Sequence, residues 1–342
     1  PAPLGTPQPA TSSKDATKQE TERALADFIS TPAPPCPADG QDGLADHNLY
    51  RTGVNRPTGG GTRKLGVTLG VVDLIVTGAG GRLGRLIRAA WAEELPPELR
   101  PFWTGRRENV DLQWDMLSSP PAGLPQGAVV LHLAGMTRGA GEDLRQNSAI
   151  VPGLLESCRR IGARRLLFVS TAAVYAPGPL AMAEDLPVMP ASAYGRSKAD
   201  AEALVRAQTD VPVTVLRLGN VAGADALLGP RPAGGQIVLD PVPQVPGGPT
   251  RSWIGARTLA RLLAALCLRQ LPPVLNIAQS PPLAMADLLE AAGLDWCFGP
   301  FNPEVVPVAT LDVSRLQSIC PLPAAAPVQL AAEAAWARGV LG

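Results

Sequence analysis

The chain has 342 residues, with 30 basic and 30 acidic side chains, long enough for a full α/β core. Balanced charge gives no electrostatic case for nucleic acid or an anionic membrane surface, and no apolar run approaches the roughly 20 residues of a spanning helix. The cysteines Cys36, Cys158, Cys267, Cys297 and Cys320 are scattered in no ligand-like spacing, and the histidines are His47 and His132 alone; disulfide frameworks, metal sites and Ser-His-Asp triads fit poorly, and a reducing cytoplasm fits well.

Residues 1–68 are rich in Pro, Thr, Ser, Gly and Arg. Such composition cannot bury enough apolar surface to offset ordering entropy, so this extension is expected to be disordered. Because the chain starts with Pro1 and its first methionine is Met116, the extension is expected to be a dispensable tail or a start-site artefact. From residue 69 the pattern alternates. Val71–Thr77 reads as a buried strand and Arg82–Glu94 as a helix with Leu83, Leu86, Ile87 and Trp91 on one face. Strands are expected at Phe102–Thr104, Ala128–Ala134, Arg165–Ser170 and Val213–Leu218, and helices at Leu144–Ile161, Ser197–Gln208, Ala256–Arg269 and Val328–Gly339. Continuous apolar strands alternating with helices indicate a Rossmann-type doubly wound parallel sheet. His132, inside an apolar strand, reads as a core residue.

Thr77-Gly78-Ala79-Gly80-Gly81-Arg82-Leu83-Gly84 joins the first strand to the first helix. Glycines there permit a tight turn and close approach of a pyrophosphate, and a helix N-terminus offers free N–H groups. Gly78, Gly81, Arg82, Leu83 and Gly84 are therefore candidate cofactor contacts. An NAD enzyme usually carries an acid at the end of its second strand for the ribose 2′-hydroxyl. Here the run is Phe102-Trp103-Thr104-Gly105-Arg106-Arg107, and the guanidiniums of Arg106 and Arg107 suit a 2′-phosphate, favouring NADP over NAD. In Tyr194-Gly195-Arg196-Ser197-Lys198, Tyr194 and Lys198 stand four apart and share a helix face. A neighbouring ammonium favours the phenolate, so Lys198 would tune Tyr194 as a proton donor or acceptor and offer donors to cofactor ribose.

The glycine spacing Gly78-x-x-Gly81-x-x-Gly84 with this Tyr–Lys pair resembles the extended short-chain dehydrogenase/reductase superfamily, the NAD-dependent epimerase/dehydratase family, over about residues 71–315. The resemblance implies one extended Rossmann domain, 69–342, with a small discontinuous C-terminal substrate lobe mainly at 221–252 and 279–322. It implies that Thr171, four residues before Tyr175 in Thr171-Ala172-Ala173-Val174-Tyr175, completes a catalytic set with Tyr194 and Lys198 and polarises the reacting oxygen. It further implies cofactor contacts at Asp115 and Met116 (adenine), at Ala134 and Gly135 (the end of the fourth strand), and at Gly219 near the nicotinamide. Tyr175 would form a wall of the site, Asn220 would meet substrate, and Arg251 would hold a diphosphate or carboxylate.

Arg217-Leu218-Gly219-Asn220-Val221-Ala222-Gly223 departs from the family's Arg-Pro-Gly-Asn-Val-Tyr-Gly at Leu218 and Ala222. Arg251-Ser252-Trp253-Ile254 keeps the arginine and isoleucine of the nucleotide-sugar pattern but not its acids or histidine. The expected activity is hydride transfer on a sugar-like or small carbonyl or alcohol substrate, as reductase or epimerase. The alternatives are a nucleotide-sugar epimerase or dehydratase with tightly bound NAD and a non-catalytic dinucleotide sensor; an RNA-associated relative fits the neutral charge poorly. By analogy a homodimer would form through the helices Leu144–Ile161 and Ser197–Gln208.

Overall fold

The structure is a computed structural model that describes residues 70–137, 139, 141–231, 235–243 and 245–342; the extension expected at 1–68 lies outside the described residues. Strand β1 (Val72–Thr77) feeds helix α1 (Arg82–Glu93), followed by β2 (Leu99–Gly105), β3 (Leu112–Gln113) and β4 (Val129–His132). Three short helical pieces follow, α2 (Gly141–Leu144), α3 (Gln146–Ala149) and α4 (Val151–Arg160), then β5 (Arg165–Thr171), α5 (Ala193–Ala207) and β6 (Val213–Leu218). The main sheet is completed by α6 (Ala256–Cys267) and β11 (Val274–Ile277). Its strand order is β11-β6-β5-β4-β1-β2-β3, with every neighbour parallel. The order reverses at β1, between β4 and β2, where ligands of open α/β sheets bind.

Both faces of the sheet are covered. Ile75, Val130, Leu166, Phe168 and Val215 of the strands pack with Leu154, Leu155 and Cys158 of α4 and Ala201 and Val205 of α5. Trp91 of α1 donates its indole N–H to Ala260 O of α6 at 2.8 Å, tying those two helices together. Such two-sided burial explains strands without polar alternation, of which β4 is buried at every position.

The helix expected at Leu144–Ile161 is broken into three pieces. Pro152 in the first turn of α4 has no N–H to continue an incoming helix. Helix α5 begins at Ala193 rather than Ser197 because Ser192 caps it, accepting from Gly195 N at 3.0 Å. This brings Tyr194 into the first helical turn.

Residues after β6 form smaller sheets: β7 (Asn220–Ala222) with β10 (Trp253–Gly255), β8 (Ile237–Leu239) with β13 (Trp296–Phe298), and β9 (Thr250–Arg251) between β12 (Leu283–Ala284) and β14 (Val308–Ala309). Helices α7 (Met285–Ala291) and α8 (Ser314–Ile319) precede the last helix, α9 (Pro327–Leu341), and a second core joins Leu228, Leu239, Trp253, Leu283 and Leu288 with Leu330 and Ala334 of α9. Glu333 of α9 caps α6 from a distance: its carboxylate accepts from Arg257 N at 2.7 Å, Thr258 N at 3.0 Å and Thr258 Oγ1 at 2.7 Å.

Candidate active site

Parallel strands deliver their following loops to one edge. Thr77 lies beside both Thr104 and His132, and Thr171 beside Leu218. The glycine loop after β1, Ala134–Gly135 after β4, Thr171 at the end of β5 and Gly219–Asn220 after β6 therefore share that edge.

The loop is built by close backbone approach. Gly78 has φ +77°, and a side chain on it would lie 2.6 Å from Ala134 N. Gly81 caps α1 with no side-chain hydrogen bond, and the first turn carries no acid. The N–H groups of Arg82, Leu83 and Gly84 are thus first-turn donors that no intrahelical carbonyl can reach. Uncapped donors beside an acid-free first turn, in a cradle that a Cβ would fill, fit a dinucleotide pyrophosphate. Arg82 itself is exposed and reaches Ala224 O at 3.1 Å. Arg106 and Arg107 are exposed at the end of β2, and the stem of Arg107 passes Gly80: a side chain there would lie 3.8 Å from Cδ.

Asp115 is exposed and accepts from Leu117 N at 3.1 Å, whereas the Met116 side chain is buried in the core, which leaves only its backbone for a ligand. Gly135 is exposed, and a side chain on it would meet Asn147 Oδ1 at 2.9 Å and Lys198 Nζ at 3.7 Å.

The proposed catalytic side chains converge. Thr171 caps the short turn Ala172–Val174 by accepting from Ala173 N at 3.2 Å, and its hydroxyl neighbours the Tyr194 phenol. Gly195 makes this possible, since any side chain there would lie 2.1 Å from Ala173 O. Lys198 is buried, donates to Val169 O at 2.7 Å and stands 4.8 Å from the Phe168 ring centroid.

Burial raises the Tyr194 pKa above its usual value, and the Thr171 hydroxyl opposes that. Burial lowers Lys198 to about 8, while Glu202 pulls it back up. The Lys198 ammonium is turned onto β5, where it donates to Val169 O.

Two residues expected to face substrate are placed differently. Tyr175 is 2% exposed, and its hydroxyl accepts from Arg217 at 2.8 Å and donates to Asn276 Oδ1 at 2.9 Å. The phenol anchors a buried polar cluster with Arg217 and Asn276 instead of walling the cleft. Arg251 folds its guanidinium onto backbone, donating to Thr250 O at 2.8 Å and Val306 O at 2.8 Å, and burial holds it below its usual pKa. Gly219 and Asn220 are half-buried at the rim, their amides bonded to Ile277 O and Ser252 O, each at 2.9 Å.

The residue reading missed Asn147. It is buried, accepts from Met136 N at 2.7 Å, and donates to Met136 O at 3.0 Å and Ser197 Oγ at 2.9 Å. It ties the loop after β4 to the Tyr–Lys helix. A polar residue within an otherwise helical apolar run was the available signal.

Residues 74–237 match the model of the NAD dependent epimerase/dehydratase family. A UDP-glucose 4-epimerase of Azospirillum brasilense is 42% identical over 85 residues, 24% of this chain and 24% of that protein. A UDP-glucose 4-epimerase of Corynebacterium glutamicum is 30% identical over 178 residues, 46% of this chain and 54% of that protein. The chain thus spans about a quarter and about half of the lengths of these curated relatives. Among solved structures, the UDP-glucose-4-epimerase from Stenotrophomonas maltophila with bound NAD and formylated UDP-arabinopyranose superposes with a TM-score of 0.65 at 20% identity, covering 79% of this chain and 99% of that one. MoeE5 in complex with UDP-glucuronic acid and NAD gives 0.62 at 24% identity, covering 78% and 99%. These likenesses show the fold. Over residues 74–237, just under half of the chain, the sequence is similar to the NAD-dependent epimerase/dehydratase family.

Proposed function

We propose that the chain is a nicotinamide-dinucleotide-dependent epimerase or oxidoreductase acting on a sugar-like substrate, with Thr171, Tyr194 and Lys198 as its catalytic set. The observation that carries this is the placing of Thr171 beside Tyr194, with Lys198 one turn further along α5, at the sheet edge that also carries the uncapped glycine loop. A fold without chemistry has no need of a buried lysine beside a paired tyrosine. The relatives and solved structures named above are UDP-sugar epimerases or bind UDP-sugars, which favours a nucleotide-sugar substrate here.

The dinucleotide, when bound, supplies a hydride acceptor and donor. Tyr194 exchanges a proton with the substrate hydroxyl or carbonyl oxygen, and Thr171 donates a hydrogen bond to that oxygen and steadies developing negative charge. Lys198 offers N–H donors to ribose hydroxyls. The first-turn amides of α1 and Gly78, Gly81 and Gly84 hold the pyrophosphate; Ala134, Gly135 and Gly219 line the remainder. Asp115 and the backbone of Met116 flank the adenine, while Asn220 contacts substrate.

The solved relatives carry NAD, but the end of β2 favours NADP, since Gly105 stands where an acid would hold a 2′-hydroxyl and Arg106 and Arg107 are free of carboxylate partners in the ion pairs described. Titrating the purified protein with NADPH and NADH, and assaying interconversion of UDP-glucose and UDP-galactose, tests the reading. Tight NADPH binding that is lost in Arg106→Ala/Arg107→Ala supports NADP; preference for NADH reverses that assignment. Binding of neither cofactor refutes the function.

A further inference from the structure

Helix α5 carries a further polar residue, Glu202, buried and in line with the catalytic pair. Tyr194, Lys198 and Glu202 lie four apart, so all three share one face, and that face meets three consecutive residues of β5. Thr171 stands beside Tyr194. Val169 O accepts from Lys198 Nζ at 2.7 Å. Ser170 Oγ donates to Glu202 Oε1 at 2.5 Å. The strand end therefore meets the helix at every residue from 169 to 171, and Glu202 makes the middle stitch.

Glu202 is itself 1% exposed and Arg217 equally so. The Arg217 guanidinium donates to both carboxylate oxygens, from Nη2 to Oε2 at 2.8 Å and from Nε to each at 3.2 Å. A buried carboxylate so surrounded is held in one position, with the close bidentate geometry that a buried ion pair requires. Arg217 continues to the Tyr175 hydroxyl, and Tyr175 to Asn276, whose N–H donates to Glu184 Oε1 at 3.0 Å. Glu184 belongs to the loop leading into α5, so the network closes on itself around the catalytic helix.

We propose that Glu202 is a positioning residue: gripped by Arg217 and bonded to Ser170, it holds the end of β5 in register with α5, so that Thr171 faces Tyr194 and Lys198 stays seated beside it. The inference rests on the proposed function for its catalytic meaning. Its electrostatic part concerns Lys198, around which the titratable groups are Tyr194 and Glu202 on α5 and His132 on β4, with Arg217 of β6 behind Glu202. Glu202 is the group that raises the Lys198 pKa against burial. Without its charge, Lys198 would lose its proton at lower pH.

Two variants of the full chain separate positioning from mere folding. Ser170→Ala removes the stitch but leaves the Glu202–Arg217 pair intact; Glu202→Gln keeps the shape and removes the charge. Both are checked by thermal melts and then assayed for UDP-glucose turnover and for NADH and NADPH affinity across pH. Folded Ser170→Ala is expected to lose roughly tenfold in kcat with KM within about twofold, the pattern of a misplaced acid–base group. Glu202→Gln is expected to move the alkaline limb of cofactor affinity and of turnover to lower pH by about one unit. If Glu202→Gln does not fold, the Ser170→Ala kinetics decide alone. Wild-type kcat in folded Ser170→Ala, or an unmoved alkaline limb in folded Glu202→Gln, overturns the proposal. If the wild type binds cofactor but turns over no UDP-glucose, the substrate reading fails; the positioning role is then decided by the pH limb of NADH binding, which does not depend on the substrate.

Discussion

Acid should unfold this protein through His132. Its imidazole is completely buried on β4, stacked on Phe168 with ring centroids 5.0 Å apart, and shares a 2.9 Å hydrogen bond between Nδ1 and Thr77 Oγ1. Nε2 has no hydrogen-bond partner among the described residues. Protonation would place a second N–H and a charge among apolar side chains, near the Lys198 ammonium. Burial, aided by Lys198, lowers the pKa from 6.5 to about 3. The unfolded chain therefore binds this proton between those values while the folded chain refuses it, so stability is full above about pH 6.5 and falls as pH drops toward 3.

The whole gap is worth about 5 kcal/mol, but only about 2 kcal/mol is lost between about pH 7.5 and pH 5. That smaller figure requires only that the folded pKa lie well below 5. Urea unfolding at the two pH values measures it, with His132→Gln as the non-titrating control that subtracts the carboxylates common to both proteins. The wild type should lose about 2 kcal/mol more than the variant on acidification, near 1 M in urea midpoint at slopes typical of domains. Equal losses in the two proteins would refute the buried neutral imidazole.

Three further outcomes are expected. A side chain at Gly84 would lie 2.3 Å from Gly78 O and 2.8 Å from Ala79 Cα, both backbone, whereas Gly80 has only Arg107 Cδ at 3.8 Å; Gly84→Ala should destabilise by about 2 kcal/mol, and Gly80→Ala should leave the melting temperature unchanged while weakening dinucleotide binding, checked by melts and fluorescence titration. Glu333→Ala should cost about 2 kcal/mol by stranding the amides of Arg257 and Thr258, measured by urea unfolding. Lys198→Met should abolish turnover yet stabilise the fold by about 1–2 kcal/mol at neutral pH, because burial depresses the lysine pKa from 10.5 to about 8 and outweighs the lost bond to Val169 O; the gain should fade as pH rises through those values.

The sheet was legible because its signals are local. Continuous apolar strands, a glycine loop between a strand and a helix, and a Tyr–Lys pair four apart each carry their meaning within a few residues. The observed strand Val213–Leu218 matches its expected bounds, and His132 lies in the core as its apolar neighbours required. What escaped depends on partners distant in the chain. Asn147 looks like one polar residue in a helix until Met136 and Ser197 are seen on either side of it. Glu333 reads as surface charge in a packing helix until the N-terminus of α6 is brought to it. Tyr175 reads as a wall of the site because its neighbours match a pattern, but the side chain's fate is set by Arg217, 42 residues later.

Glu202 shows how such residues could be sought in sequence. An acid on the core face of a helix, in phase with a catalytic pair, carries a desolvation cost that chance composition does not sustain. Its compensating cation must then come from another element, and a strand arginine such as Arg217, placed among Val215, Leu216 and Leu218, carries the matching anomaly. Each is improbable alone in a core; together they form a pair whose burial becomes tolerable, with Ser170 and Tyr175 satisfying the remaining lone pairs and donors. Charges that break an apolar pattern in phase with a candidate motif thus mark the polar network packed behind it, and here that network runs from β5 through α5 to β11.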